Sequence, residues 1–183
     1  MKRVYFNYLY TSAILSKLRL PDSPKCAMII KLTIKVNKSE NRYSYNTKER
    51  LDLPMNEKFF DLKKEKQDRM INAALKIFSM RGYQFASTDD IVKEAGISKG
   101  LLFHYFGSKS GLYSFIYDYS VRFMSMELRA AVDAEETNFF TLYKQIETGR
   151  LQALKNYPCM QLFLEKFNTE TAAEALAATC EKK

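Results

Sequence analysis

The chain has only one histidine and three cysteines. Cys26, Cys159 and Cys180 show no CxxC spacing, so an odd, scattered set reads as reduced thiols in a cytosolic protein. A glycine-rich phosphate loop is missing, and the lone His104 has no nucleophile and carboxylate partners within sequence reach. These absences argue against an enzyme, and against a catalytic residue, a metal or another cofactor. Long apolar runs are missing as well: Lys, Asn or Asp breaks each one well short of the roughly 20 residues a bilayer requires. The start, MKRVYFNYLYTSAIL, echoes a signal peptide in its basic pair. Asn7 and several tyrosines interrupt its apolar part, however, and no A-x-A site follows. The expectation is a cytoplasmic protein with no membrane partner.

What is present begins with positive charge. The 183 residues carry 29 Lys and Arg against 21 Asp and Glu, a net charge of +8. Residues 1–54 hold 11 basic side chains against 4 acidic ones, residues 58–109 hold 10 against 6, and from Ser110 onward the balance is 8 against 10. The global charge is therefore weak support for a nucleic-acid partner; the local bias in residues 58–109 is the useful part. A chain that is 46% hydrophobic and 27% charged is ordinary for a globular protein, long enough for one domain or for a small domain with a helical partner.

Three regions differ in pattern. Residues 1–54 contain Pro21, Pro24 and Pro54 and one regular stretch, IKLTIKV, where Ile30, Leu32, Ile34 and Val36 alternate with polar residues at the period of a strand. A lone strand has no ladder partner, so a poorly ordered extension, with a short strand at most, is expected here. From Asp61 the period becomes helical. Ile71, Ala74, Leu75 and Phe78 recur at i, i+3, i+4 and i+7, Lys63, Lys64, Lys66 and Arg69 stay off that face, and Gly82 is expected to end the helix. Ser87 opens a second helix, with Asp90 expected to complete a capping box, Ile91 and Ala95 facing inward and Gly96 as the stop. Ser98 caps a third. Only Gly96, Ile97 and Ser98 lie between these two helices, and two short capped helices joined by a glycine turn make a helix-turn-helix.

The third helix lies in ISKGLLFHYFGSK, residues 97–109. At about 100° per residue, Leu102, Tyr105 and Phe106 share a face with Ile97, while Gly100 and His104 point the opposite way, flanked by Leu101 and Phe103. A buried strand has no use for the serine cap or for a glycine and an imidazole on one edge. That edge suits a nucleic-acid groove. Gly100 removes a side chain where backbone comes close to bases, Ser98, Lys99 and the helix N-terminus meet phosphates or bases, His104 donates to a phosphate oxygen, and Lys109 neutralises a phosphate. Taken singly each feature is bland, since a lone histidine among aromatics is more often packed than functional. Three capped helices with the right turn length and inward faces are harder to explain without DNA.

Residues 69–113, RMINAALKIFSMRGYQFASTDDIVKEAGISKGLLFHYFGSKSGLY, resemble the DNA-binding domain of the tetracycline-repressor (TetR/AcrR) family of bacterial transcriptional regulators. The shared pieces are F-x-x-R-G-Y, S-T-x-x-I, A-G-I-S-K-G and F-H-Y-F-G-S-K, across about a quarter of the chain. The resemblance implies that Ser87 and Thr88 touch phosphates from the second helix and that Lys99, Gly100, Phe103, His104 and Lys109 meet bases or backbone. Leu101 and Phe103 stand where the family usually has threonine and tyrosine. Both lose a hydroxyl, and both suit thymine methyls instead.

Beyond Ser108, Leu112, Phe115, Ile116, Tyr119, Phe123 and Met126 repeat at three and four residues. Phe139, Leu142, Tyr143, Ile146 and Leu154 mark a further helix ending before Pro158, and Met160, Phe163 and Phe167 another. The expected fold is all-α: an extension over residues 1–54, a three-helix DNA-binding head over 55–109, and a partial helical effector-binding and dimerisation domain over 110–183. The resemblance implies double-stranded DNA as partner, a small-molecule effector and a homodimer reading a palindromic operator as a repressor. Tyr119, Phe123, Tyr143 and Phe163 are candidates to line the effector pocket, although aromatic stripes are more often simple packing. The end, TETAAEALAATCEKK, is short of bulky apolar residues, and against the resemblance the expectation is that the further helices through which the family dimerises are missing, which puts the homodimer in doubt. A second reading stays open, in which a truncated relative does not repress alone and acts as an interaction partner or is a damaged gene product.

Overall fold

The computed structural model describes residues 57–133 and 135–180; the expected N-terminal extension and its strand lie outside the described residues. After a single 3-10 turn at Glu57–Phe59 the chain forms α1 (Lys64–Phe85), α2 (Thr88–Ala95), α3 (Lys99–Phe106), α4 (Lys109–Ala131), α5 (Phe139–Asn156), α6 (Met160–Asn168) and α7 (Ala173–Cys180). Among the described residues there is no strand, and the all-α expectation holds. By contact the described chain divides into two compact units, one running to Met124 and resuming at Gln152, the other comprising residues 125–151.

In the first unit, α1 supplies the central face. Met70, Ile71, Ala74, Leu75 and Phe78 are buried on it, as the spacing predicts, and the helix packs against α2 and α6. Two ring clusters organise the rest. Phe59, Phe106 and Phe115 meet with centroids 5.2, 5.1 and 4.9 Å apart. Phe78, Tyr113 and Phe163 meet at 4.9, 5.4 and 6.3 Å. Burying one such side chain stabilises the fold by about 1.5–3 kcal/mol. Phe59 therefore ties the turn before α1 to α3 and α4.

Gly82 does not end α1 cleanly. Its backbone, at φ 69 and ψ 176, interrupts the helix, yet helical hydrogen bonding resumes as far as Phe85. The reason is local: one left-handed residue kinks the chain without removing the helix-forming tendency of the residues after it.

In the second unit the last turns of α4 bury Leu128 and α5 buries Leu142. The Asp133 N–H donates to Gln145 Oε1 at 3.1 Å, and Arg150 pairs with Glu147 at 3.2 Å.

Candidate nucleic-acid interface

The interface is assembled by two capped helices and the turn between them. At the start of α2 the Ser87 Oγ accepts from the Asp89 N–H at 3.1 Å, not from Asp90. The expected capping box is not formed, because the Asp90 carboxylate is taken by the Arg81 guanidinium of α1. Gly96, at φ 63, closes α2, and the Ile97 N–H donates back to Val92 O at 3.1 Å. The Ser98 Oγ then accepts from the Leu101 N–H at 3.2 Å and caps α3. The Ser108 Oγ accepts from the Gly111 N–H at 2.9 Å at the start of α4.

Burial sorts α3 as its spacing predicts. Leu102 and Phe106 are buried and Tyr105 is half-buried beside Phe59, ring centroids 5.7 Å apart. Ser98, Lys99, Gly100 and His104 are exposed along one edge, with Leu101 and Phe103 half-buried at its sides. The His104 ring stands edge-on to Tyr105 at 5.1 Å. Ser87 and Thr88 are half-buried at the start of α2. Among the described residues a Cβ built on Gly100 would meet nothing within 4 Å. Neither a neighbour among them nor a positive φ calls for glycine at this place.

The two basic candidates are held by the protein itself. Lys99 pairs with Asp89 at 2.8 Å, both exposed. The Lys109 ammonium donates to Gln84 O at 3.3 Å and lies 4.6 Å from the centroid of Tyr83. Burial, and after it Glu174, pushes the Tyr83 phenol above its usual range, so a neutral ring faces that cation.

Tyr83 escapes a reading based on spacing, and so does Glu170, whose carboxylate accepts from the N–H groups of Tyr83 at 2.9 Å and of Thr171 and Ala172 at 3.0 Å each. The one local signal is an acidic residue just ahead of an Ala-rich helix, where free N–H groups point backward.

Of the candidate effector-pocket residues, Tyr119, Phe123 and Phe163 lie in the first unit and Tyr143 in the second. Tyr119 and Phe123 stack at 5.9 Å and both meet Tyr157, at 5.5 and 4.9 Å. The Tyr157 hydroxyl is itself the hub of a network, donating to Asp68 at 2.5 Å, accepting from Lys64 at 2.9 Å and pairing with Tyr119 at 2.7 Å. Phe163 belongs to the separate Phe78 and Tyr113 cluster and is fully buried. Tyr143, in the second unit, is exposed and stacks on Phe139. A shallow cleft of about 320 Å³ is lined instead by Arg69, Asn72, Ala73, Lys76, Glu94, Pro158 and Cys159. Among the described residues no cluster of His, Cys, Asp and Glu is arranged to hold a metal ion, and no helix is long and apolar enough to cross a membrane.

Residues 70–114, which span most of α1, all of α2 and α3 and the start of α4, match the family model described as bacterial regulatory proteins, tetR family. Over these residues the chain carries a head of the tetR type. The TetR head is 47% identical over 49 residues to the HTH-type transcriptional regulator YuxN of Bacillus subtilis, which covers 27% of this chain and 17% of that protein. It is 39% identical over 51 residues to the HTH-type transcriptional regulator HbdR of Aromatoleum, covering 28% and 22%. It is 38% identical over 47 residues to the biofilm operon icaADBC negative transcriptional regulator IcaR of Staphylococcus aureus, covering 26% and 25%. The similarity thus spans a quarter or less of the length of these curated relatives. A crystal structure of a TetR-family transcriptional regulator from Chloroflexus aurantiacus shares the fold, with a TM-score of 0.52 over 69% of this chain and 60% of that one, at 24% identity.

Proposed function

We propose that the chain is a DNA-binding transcriptional regulator, and that α3 enters the major groove of a duplex. Gly100 is the observation that carries this. A glycine inside a helix costs about 0.5–1 kcal/mol relative to alanine. Nothing among the described residues requires this one, since an added Cβ meets none of their atoms within 4 Å. The missing side chain makes sense when something outside the chain approaches that backbone. In this reading Ser98, Lys99, Gly100, Leu101, Phe103 and His104 meet base edges and backbone from α3, Ser87 and Thr88 hold phosphates at the N-terminus of α2, and Lys109 neutralises one from α4.

The proposal extends to repression, the role that the name of IcaR gives to that relative, to a small-molecule effector bound by residues 110–183, and to a cytoplasmic homodimer whose two heads read a palindrome. Regulation rather than turnover is the role proposed, with residues 55–109 as the working head.

The test is fluorescence anisotropy with duplex DNA taken from around the chain's own gene, across a salt series. Log affinity is expected to fall linearly with log salt, and Lys109→Ala together with His104→Ala is expected to weaken binding. Affinity that ignores salt, or survives both substitutions, overturns the reading.

A further inference from the structure

The joint between α1 and α2 is held from a distance in sequence. At φ 69 Gly82 cannot continue α-helical hydrogen bonding, so the N–H of the next residue, Tyr83, leaves the ladder. Tyr83 is buried, and a buried donor without a partner is costly. Glu170, which follows α6, supplies that partner at 2.9 Å through one carboxylate oxygen, while the other binds the Thr171 and Ala172 N–H groups ahead of α7. The carboxylate is thus fixed at both oxygens. Lys166 of α6 also stands at this joint, its Cε 3.4 Å from where a Cβ on Gly82 would lie.

What the clamp holds matters for the interface. The ring of Tyr83 lies under the Lys109 ammonium at 4.6 Å, and the neighbouring Gln84 O accepts from that same ammonium at 3.3 Å. Four residues on from Tyr83, Ser87 caps α2. A shift of the Tyr83 backbone therefore moves the platform on which Lys109 rests and the entry to the phosphate-facing end of α2.

We propose that Glu170 is a positioning residue for DNA binding: by holding the Tyr83 backbone it sets the α1 to α2 joint and, through the Tyr83 ring, the place of the Lys109 ammonium. This rests on the DNA-binding reading above. Glu170 itself touches no nucleic acid; it acts through Tyr83, and a change in the segment after α6 reaches the head by this route.

The experiment uses the full chain, with Glu170→Ala, Glu170→Gln, Lys109→Ala and the Glu170→Ala, Lys109→Ala double variant. The probe is a fluorescein-labelled duplex of mixed sequence about three helical turns long, titrated by anisotropy across a salt series, with helix content checked by circular dichroism. Glu170→Ala is expected to keep its helix content, lose about tenfold in affinity at low salt and lower the salt slope by about one. The double variant is expected to lose clearly less than the sum of the two single losses, because both act on the Lys109 contact. Glu170→Gln, which keeps one accepting oxygen for Tyr83 but loses the charge, is expected to lose about threefold, so it still departs from wild type and carries the test should the alanine variant unfold.

Wild-type affinity and slope in both Glu170 variants, with Lys109→Ala weakened, overturn the positioning role and leave the DNA reading intact. Additive losses in the double variant also overturn it. A wild-type chain whose affinity ignores salt overturns both.

Discussion

Lys109 lies across the face of Tyr83, its ammonium 4.6 Å from the ring centroid, and the two residues join the start of α4 to the end of α1. A cation held on a neutral ring keeps its charge and loses freedom, so less ordering is left to be done when a phosphate arrives. Lys109→Ala is expected to weaken duplex binding uniformly across sequences and to reduce the salt slope by about 0.9. The fold itself should lose only about 0.5–1 kcal/mol. Anisotropy over a salt series and thermal melting measure the two effects separately.

Gly100→Ala separates stability from binding. Its Cβ would enter open space on α3. The variant is expected to be more stable by about 0.5–1 kcal/mol, because alanine is the better helix former. Duplex binding is expected to fall by about tenfold, since the methyl group meets the incoming base edges or backbone. Chemical denaturation and anisotropy should therefore move in opposite senses; equal affinity for the two proteins counts against close approach at this residue.

Asp89 pairs with Lys99 at 2.8 Å, both exposed, so on the proposed reading it competes with DNA for that lysine. Asp89→Asn is expected to tighten duplex binding about threefold to tenfold, by freeing Lys99 and removing a negative charge that faces phosphates. It also removes a favourable charge from the first turn of α2, at a cost of about 0.3–1 kcal/mol in stability. Asparagine leaves the backbone N–H that donates to Ser87 in place.

Leu102, at 1% exposure, is the anchor of the inner face of α3. Leu102→Ala is expected to cost about 2–5 kcal/mol in urea denaturation. Leu101→Ala, on the half-buried side, should cost much less. The ratio of the two losses reports directly on which edge of α3 faces out.

Glu170 gives a pH signature. Burial alone would raise its carboxyl, but the N–H groups of Tyr83, Ala172 and Thr171, with Lys166 nearby, outweigh that and hold it below 4.5. The unfolded chain takes up the proton at the higher pH. The stabilisation is therefore fully present above about pH 4.5 and is lost as pH falls through the folded value. The melting temperature of the wild type is expected to exceed that of Glu170→Gln near neutral pH, with the gap closing as pH falls below about 4.5. A gap unchanged with pH removes the charged clamp as the cause.

The head was legible because its determinants are local. The spacing of Ile71, Ala74, Leu75 and Phe78, the caps Ser87 and Ser98, and Gly96 at a positive φ each act within a turn or two of chain, and the structure places all of them as the pattern requires. The pattern misleads where a distant partner competes. Ser87 and Asp90 carry the sequence of a capping box, yet Arg81 reaches Asp90 from α1. Spacing along one helix also does not say which rings meet across helices: Tyr119 and Phe123 of α4 join Tyr157, and Phe163 of α6 joins Tyr113.

Sequence alone thus determined the inner face of α1, Ser87 and Ser98 as N-caps and the outward edge of α3, because backbone hydrogen bonding and the 3.6-residue repeat depend on near neighbours. Tertiary structure alone decided that Lys99 answers to Asp89, that Lys109 rests on Tyr83, and that Glu170 closes the gap opened at Gly82. Those contacts join residues on different elements, and only the packed core sets which of many possible partners comes within hydrogen-bonding distance.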